Sequence, residues 1–194
     1  MAVASHRPIS ALVVCTALSG ACGERIDWSA PENMIVREES AKTDAGVELK
    51  YLSLVNATCQ GVYDALADVD HYADFIPGVD RIQTVAVGEN TKTVQIAQHV
   101  IGRQSNAKVQ WTFLPAKREV AFTTLDSDLS YNDGRYVLSP SPDGTRCLVR
   151  STFLVKEGRG RAQSVPIGVL AAGTRDAFVA AAEGVRKRST RGPG

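Results

Sequence analysis

The sequence is short of several things that would announce a chemistry. Its three histidines are His6, His71 and His99, far apart and without neighbouring ligands. Neither HExxH nor CxxC spacing occurs, so no metal site can be read from it. Glycines at Gly158 and Gly160 alternate with Arg159 and Arg161. Without the lysine and hydroxyl of a phosphate loop, they describe only a flexible strand-to-helix connection. No fixed-period repeat and no low-complexity tract is present. Charge of one sign is missing too: 22 basic residues face 21 acidic ones. With no broad basic field to gather phosphates, nucleic acid is excluded as the main partner.

What is there begins with an N-terminal segment unlike the rest. His6 and Arg7 precede an apolar run from Ile9 to Leu18, followed by small residues Ser19, Gly20 and Ala21, then Cys22. A weakly basic start, a short apolar core and a small-residue exit form the pattern of a signal peptide over residues 1–21. The run is too short to cross a bilayer comfortably. Leu18-Ser19-Gly20-Ala21-Cys22 resembles a lipoprotein signal in which Cys22 is lipidated and attaches the protein to a membrane. Cleavage after Ala21 without lipidation is the alternative. Both place the domain at the bacterial cell envelope or beyond. Loss of Arg7 would leave 21 basic and 21 acidic side chains, a formal charge of zero.

Of the four cysteines, Cys15 and Cys22 belong to the export segment. Cys59 and Cys147 could form one disulfide in an oxidising compartment. Two buried thiols acting as small hydrophobes are the equal alternative.

Residues 22–45 are polar, lack sustained periodicity and read as a leader or tether. From residue 46 the pattern tightens into a strand over 46–56. Thr58 can then cap a helix bearing Val62, Ala65, Leu66 and Val69. A second short helix is expected from Asp70 to Phe75, stopped before Pro77-Gly78. Strands follow over 81–88, 92–102, 107–114, 118–126, 130–139 and 146–156. In the third of these, Val109, Trp111 and Phe113 alternate with Lys108, Gln110 and Thr112, which gives one apolar face. Ser164 can cap a last helix that admits Pro166 in its first turn. Ile167, Leu170, Ala171, Thr174, Phe178, Ala181, Ala182 and Val185 form its apolar stripe. Residues 189–194 read as a flexible basic tail, with Arg186, Lys187 and Arg188 just before it; contact with anionic lipid headgroups is the alternative.

The order is strand, two short helices, six strands and a long helix, an α+β class with a curved seven-stranded antiparallel sheet. One helix covers only the middle of so wide a sheet, so a cavity is expected between them. Its sheet wall would consist of Val109, Trp111, Phe113, Val120, Phe122, Tyr136, Val149 and Phe153. The helix would add Leu170, Thr174 and Phe178.

The segment from Val62 to Val79, with Tyr63, Leu66, Asp70, Tyr72, Phe75, Pro77 and Gly78 in it, resembles the first-helix region of the helix-grip superfamily. That superfamily includes START-like lipid-transfer domains, polyketide cyclase/dehydrase proteins and coenzyme Q-binding proteins (a Bet v 1-like fold). Trp111-Thr112-Phe113, Gly134-Arg135-Tyr136 and Gly144-Thr145-Arg146 are similar too. The resemblance covers residues 46–188. It implies a hydrophobic small molecule, lipid-, quinone- or polyketide-like, bound or transported between helix and sheet, with Ile76, Pro77 and Gly78 at the entrance. Since no nucleophile–base–acid set is visible, noncatalytic binding is the leading expectation, with no catalytic residue, cofactor or metal assigned and any protein partner unknown. A cyclase or dehydratase using Tyr136, His99 or an acidic rim residue is the alternative. An envelope protein-binding domain is the third.

Overall fold

The computed structural model describes residues 26–100, 102–158 and 165–190. Expectations for Cys22, Ser164 and the export segment lie outside these residues. The elements run β1 (Asn33–Thr43), β2 (Gly46–Val55), α1 (Cys59–Ala67), α2 (Tyr72–Phe75), β3 (Val79–Val87), β4 (Thr91–Val100), β5 (Arg103–Leu114), β6 (Glu119–Ser127), β7 (Tyr131–Pro140), β8 (Cys147–Lys156) and α3 (Ile167–Ser189). The strands form one antiparallel sheet in the order β1-β2-β8-β7-β6-β5-β4-β3.

Among the described residues the sheet has eight strands, one more than expected, and the extra strand lies in the segment read as a tether. β1 is almost wholly exposed and carries little apolar alternation. Its backbone ladder with β2 holds it, with Glu38 opposite Tyr51 and Ser40 opposite Leu49. Residues ahead of it are also docked. Ile26, Trp28 and Ala30 cover Leu52, Leu54 and Leu148 on the convex face. Arg146 Nη1 donates to the Trp28 carbonyl and, at 2.7 Å, to that of Ala30.

Strand alternation builds the concave wall. In β5, Ser105, Ala107, Val109 and Trp111 are buried, while Asn106, Lys108 and Gln110 are exposed. In β8 the buried set is Cys147, Val149, Ser151, Phe153 and Val155, along with Leu148 on the other face. Phe122 lies opposite Gly134, and Gly134 opposite Phe153.

Thr58 caps α1 by accepting from the Gly61 amide at 3.1 Å. The second short helix differs from expectation. Val69–His71 form a 3-10 turn, and α2 starts only at Tyr72. Asp70 caps nothing; its carboxylate accepts from Thr84 at 2.5 Å and Lys92 at 2.6 Å, tying this turn to the β3–β4 hairpin. The Cys59–Cys147 alternative resolves as a disulfide spanning 88 residues, which staples the first turn of α1 to the start of β8.

The 23 residues of α3 make a rod of about 35 Å. Leu170, Phe178 and Val185 are buried beneath it. Gly184 permits its close crossing with α2, since a Cβ there would stand 2.2 Å from the Phe75 carbonyl oxygen. Two of the basic residues near its end are engaged within the fold. Arg186 pairs with Glu183 at 2.7 Å and Glu32 at 3.4 Å. Arg188 pairs with Asp68 at 2.9 Å and lies over the Phe75 ring.

Candidate functional site

Between α3 and the concave sheet lies a cavity of about 210 Å³. Its aromatic wall is a chain of edge and tilted contacts. Tyr72 stands nearly perpendicular to Trp111 at 5.4 Å, Trp111 meets Phe122 at 4.9 Å, and Phe122 lies 6.1 Å from Phe153. Phe153 then contacts Tyr136 at 5.6 Å and Phe178 at 5.6 Å. Such rings bury large apolar areas in fixed geometry.

Of the expected wall, Val109, Trp111, Phe122, Tyr136, Val149 and Phe153 border the cavity from the sheet, and Thr174 and Phe178 from α3. Ile76, Pro77 and Gly78 border it at one side. Pro77, Gly78 and Ala177 are exposed lining residues, so the cavity meets solvent between the α2–β3 turn and the middle of α3. Gly78 takes φ of 86° there, a conformation that favours glycine.

Three expected wall residues sit elsewhere. Val120 is fully buried in the packing beneath α1, and Phe113 is half-buried against the same cluster. Leu170 packs with Leu49, Leu129 and Val155. All three are apolar and on a suitable face, but they fall beyond the ends of the open space. His99, the alternative acid/base, pairs through Nδ1 with Asp80 at 2.8 Å, both side chains being largely exposed. His99 nonetheless borders the cavity with its strand neighbours Gln98 and Val100, at the exposed side where its amide donates to the Gly78 carbonyl at 2.7 Å.

Other lining residues were not anticipated. Met34 reaches in from β1, and α1 supplies Val62 and Leu66. A polar region is formed by Gln98, Ser105, Thr124, Ser127, Ser130 and Asn132, where the β4–β5 hairpin approaches the β6–β7 connection. Ser105 donates to Asp128 at 2.7 Å, and Ser127 Oγ accepts from the Leu129 and Ser130 amides at 3.2 and 3.3 Å. Ser127 falls in the gap between the strands expected over 118–126 and 130–139, and Ser130 and Asn132 at the start of the second belong to no apolar row, which hid them.

Trp111 Nε1, Ser151 Oγ and Asn132 Oδ1 are buried without a protein hydrogen-bond partner, and all three residues line the cavity. Leaving such groups unpaired costs about 1–3 kcal/mol each, so their natural complement is a guest's polar atoms. Tyr136 also lines the space, and burial raises its phenol above the usual tyrosine range. Tyr72 is raised likewise by burial, and its hydroxyl is committed to the Leu66 carbonyl at 2.5 Å.

Residues 55–183 match the family described as polyketide cyclase / dehydrase and lipid transport. The chain belongs to that family. Among solved structures it is similar to the ZhuI aromatase/cyclase from Streptomyces sp. R1128, with 22% identity, a TM-score of 0.65 and coverage of 74% of this chain and 93% of that one. A START superfamily protein from Mycobacterium smegmatis shares 15% identity with a TM-score of 0.60 over 71% and 94% of the two chains. The di-domain ARO/CYC StfQ of the steffimycin biosynthetic pathway shares 13% at 0.58, over 73% of this chain and 46% of that one. At these identities the likeness is one of fold. No curated relative matches the chain by sequence. The fold supports binding of a hydrophobic small molecule between sheet and helix, as family members with this helix-grip architecture allow.

Proposed function

We propose that this protein binds an oxygenated, polyketide-like molecule in the cavity and promotes its cyclisation or dehydration. The observation that carries the reading is the set of buried, unpartnered polar atoms on Trp111, Ser151 and Asn132. A donor held against a ligand carbonyl stabilises negative charge on that oxygen, so the adjacent carbon can lose its proton to a water entering from the open side, and the resulting enolate attacks a second carbonyl of the guest, whose oxygen becomes alkoxide. Tyr136, kept protonated by its burial, is suited to give a proton to an oxygen that becomes alkoxide or leaves as water. The aromatase/cyclase names of two fold neighbours support this reading. The test is turnover of an aromatic-polyketide mimic, followed as loss of starting material and gain of cyclised product. Tyr136→Phe should lower the rate by roughly 10²-fold or more while leaving ligand affinity nearly unchanged; an unaltered rate would remove Tyr136 from the chemistry.

Noncatalytic carriage of the same kind of molecule is the second reading. It is favoured by one observation: no Asp, Glu, Lys or Arg occurs among the described lining residues, and the bordering His99 is engaged at the exposed side by Asp80. Extraction of unchanged hydrophobic guest from purified protein, with no turnover in the assay above, selects it.

We further propose that the chain is exported. The signal-like residues 1–21 support this, as does the Cys59–Cys147 bond, since such bonds persist mainly in oxidising compartments. Fractionation of producing cells, with the intact mass of the mature protein, tests export and the state of Cys22 together.

A further inference from the structure

The unpartnered polar atoms of the cavity narrow the guest further. Trp111 Nε1 can only donate, Asn132 Oδ1 can only accept, and the Ser151 hydroxyl can do either. All three are buried and unpartnered by protein, with Trp111 6% and Ser151 1% exposed. Ser127 Oγ already accepts from two amides, which leaves its hydrogen free to donate. Thr124 is not free in this way, because it exchanges hydrogen bonds with the Asn132 backbone at 2.9 and 3.2 Å.

No Asp, Glu, Lys or Arg belongs to the described lining, and His99, which borders the cavity at its exposed side, is paired through Nδ1 with Asp80 at 2.8 Å. Asp128, hydrogen-bonded to the lining residue Ser105, is held by Ser105 and Asn106 and does not itself line the cavity. A carboxylate or phosphate drawn between these aromatic walls would lose its hydration and meet only neutral donors. Burying an unpaired ion is so unfavourable that such a group takes up a proton instead.

We propose that the cavity selects an uncharged hydrophobic molecule carrying both a hydrogen-bond-accepting oxygen and a hydroxyl, and excludes the anionic form of the same body. The inference rests on the cavity being the ligand site. It adds that charge, rather than size or ring shape alone, decides admission.

The experiment uses a matched pair of probes, a hydroxy-acetylnaphthalene and the hydroxynaphthoic acid of identical substitution. They share a two-ring body and differ in whether one end ionises. Binding to the full oxidised chain is measured by calorimetry or tryptophan quenching from pH 4 to pH 8. The ketone should bind with a dissociation constant that hardly changes across this range. The acid should weaken about tenfold per pH unit above its own pKa of roughly 4–5, taking ordinary carboxyl values as the guide. At pH 8 it should be about 10³-fold weaker than at pH 4. Trp111→Phe should weaken the ketone about fivefold, the worth of one hydrogen bond, with an unchanged thermal midpoint as the folding check. Ser151→Ala, which preserves volume more closely, should do the same if Trp111→Phe disturbs the fold. An acid that binds equally at pH 4 and pH 8, or better when ionised, overturns the charge rule while leaving the ligand site intact. If neither probe binds at any pH, the ligand-site reading itself falls.

Discussion

Gly134 offers the sharpest test of how the cavity is built. It lies opposite Phe122 on the neighbouring strand, and the Phe122 ring folds across it. A Cβ at residue 134 would stand 2.1, 2.3 and 2.8 Å from ring atoms Cε1, Cζ and Cδ1. To reach ordinary contact the ring must retreat by about 1.3 Å or more. The space available to it is the cavity, bounded by Trp111 and Phe153. Overpacking of this kind costs about 1–3 kcal/mol. Alanine repays about 0.4–1 kcal/mol by restricting the unfolded chain, so the clash should win by about 1–2 kcal/mol. For a chain this long the thermal midpoint should fall by roughly 2–8 °C. Affinity for a cavity guest should fall in parallel, because the displaced ring takes the guest's place. Phe122→Leu shortens the intruding side chain, so the double variant Gly134→Ala/Phe122→Leu should show a favourable coupling of about 1 kcal/mol or more in a double-mutant cycle. The assays are urea denaturation and probe titration on the four proteins. A Gly134→Ala protein that is more stable than the parent and binds as well would refute the proposed packing of this ring.

Removing the disulfide through Cys59→Ala/Cys147→Ala should cost about 4.5 kcal/mol, from the chain entropy of a loop closed over 88 residues; chemical denaturation of parent and variant under non-reducing conditions checks this. Gly184→Ala presses a methyl group against the backbone of Phe75. A carbonyl cannot swing aside as a side chain can, so a loss of about 2–3 kcal/mol is expected, read from the denaturation midpoint. Tyr51 is pushed up to about 12, first by burial and then by the Glu38 carboxylate, against about 10 in the unfolded chain. Its folded-state pKa is raised, so its contribution to stability is complete below pH 10 and is lost as pH rises from 10 toward 12. Unfolding measured at pH 9 and pH 11 should show a smaller decline for Tyr51→Phe than for the parent.

Much of this architecture was legible in the order of residues. The alternation through Val109 and Trp111, the capping Thr58 and the helical stripe ending at Val185 are local patterns, and local backbone geometry obeys them. That is why the strand and helix order, and the antiparallel sheet with its long helix, could be read from the chain. β1 was not legible because an exposed edge strand buries no side-chain row. Its partner β2 supplies the ladder, and only pairing reveals it. Asp70 likewise looked like the start of a helix, but Thr84 and Lys92, distant in sequence, claimed its carboxylate.

The cavity divides in the same way. Sequence by itself determined which residues face inward, since side-chain direction follows the period of the strand or helix. Tertiary structure alone decided which inward residues meet empty space and which meet one another. Val120 and Leu170 point the right way but are packed over, whereas Ser151 and Asn132 are left facing the opening. It also decided that Cys59 and Cys147 meet. Direction is set within a few bonds of each residue; vacancy and partnership depend on how segments far apart in the chain fill the same volume.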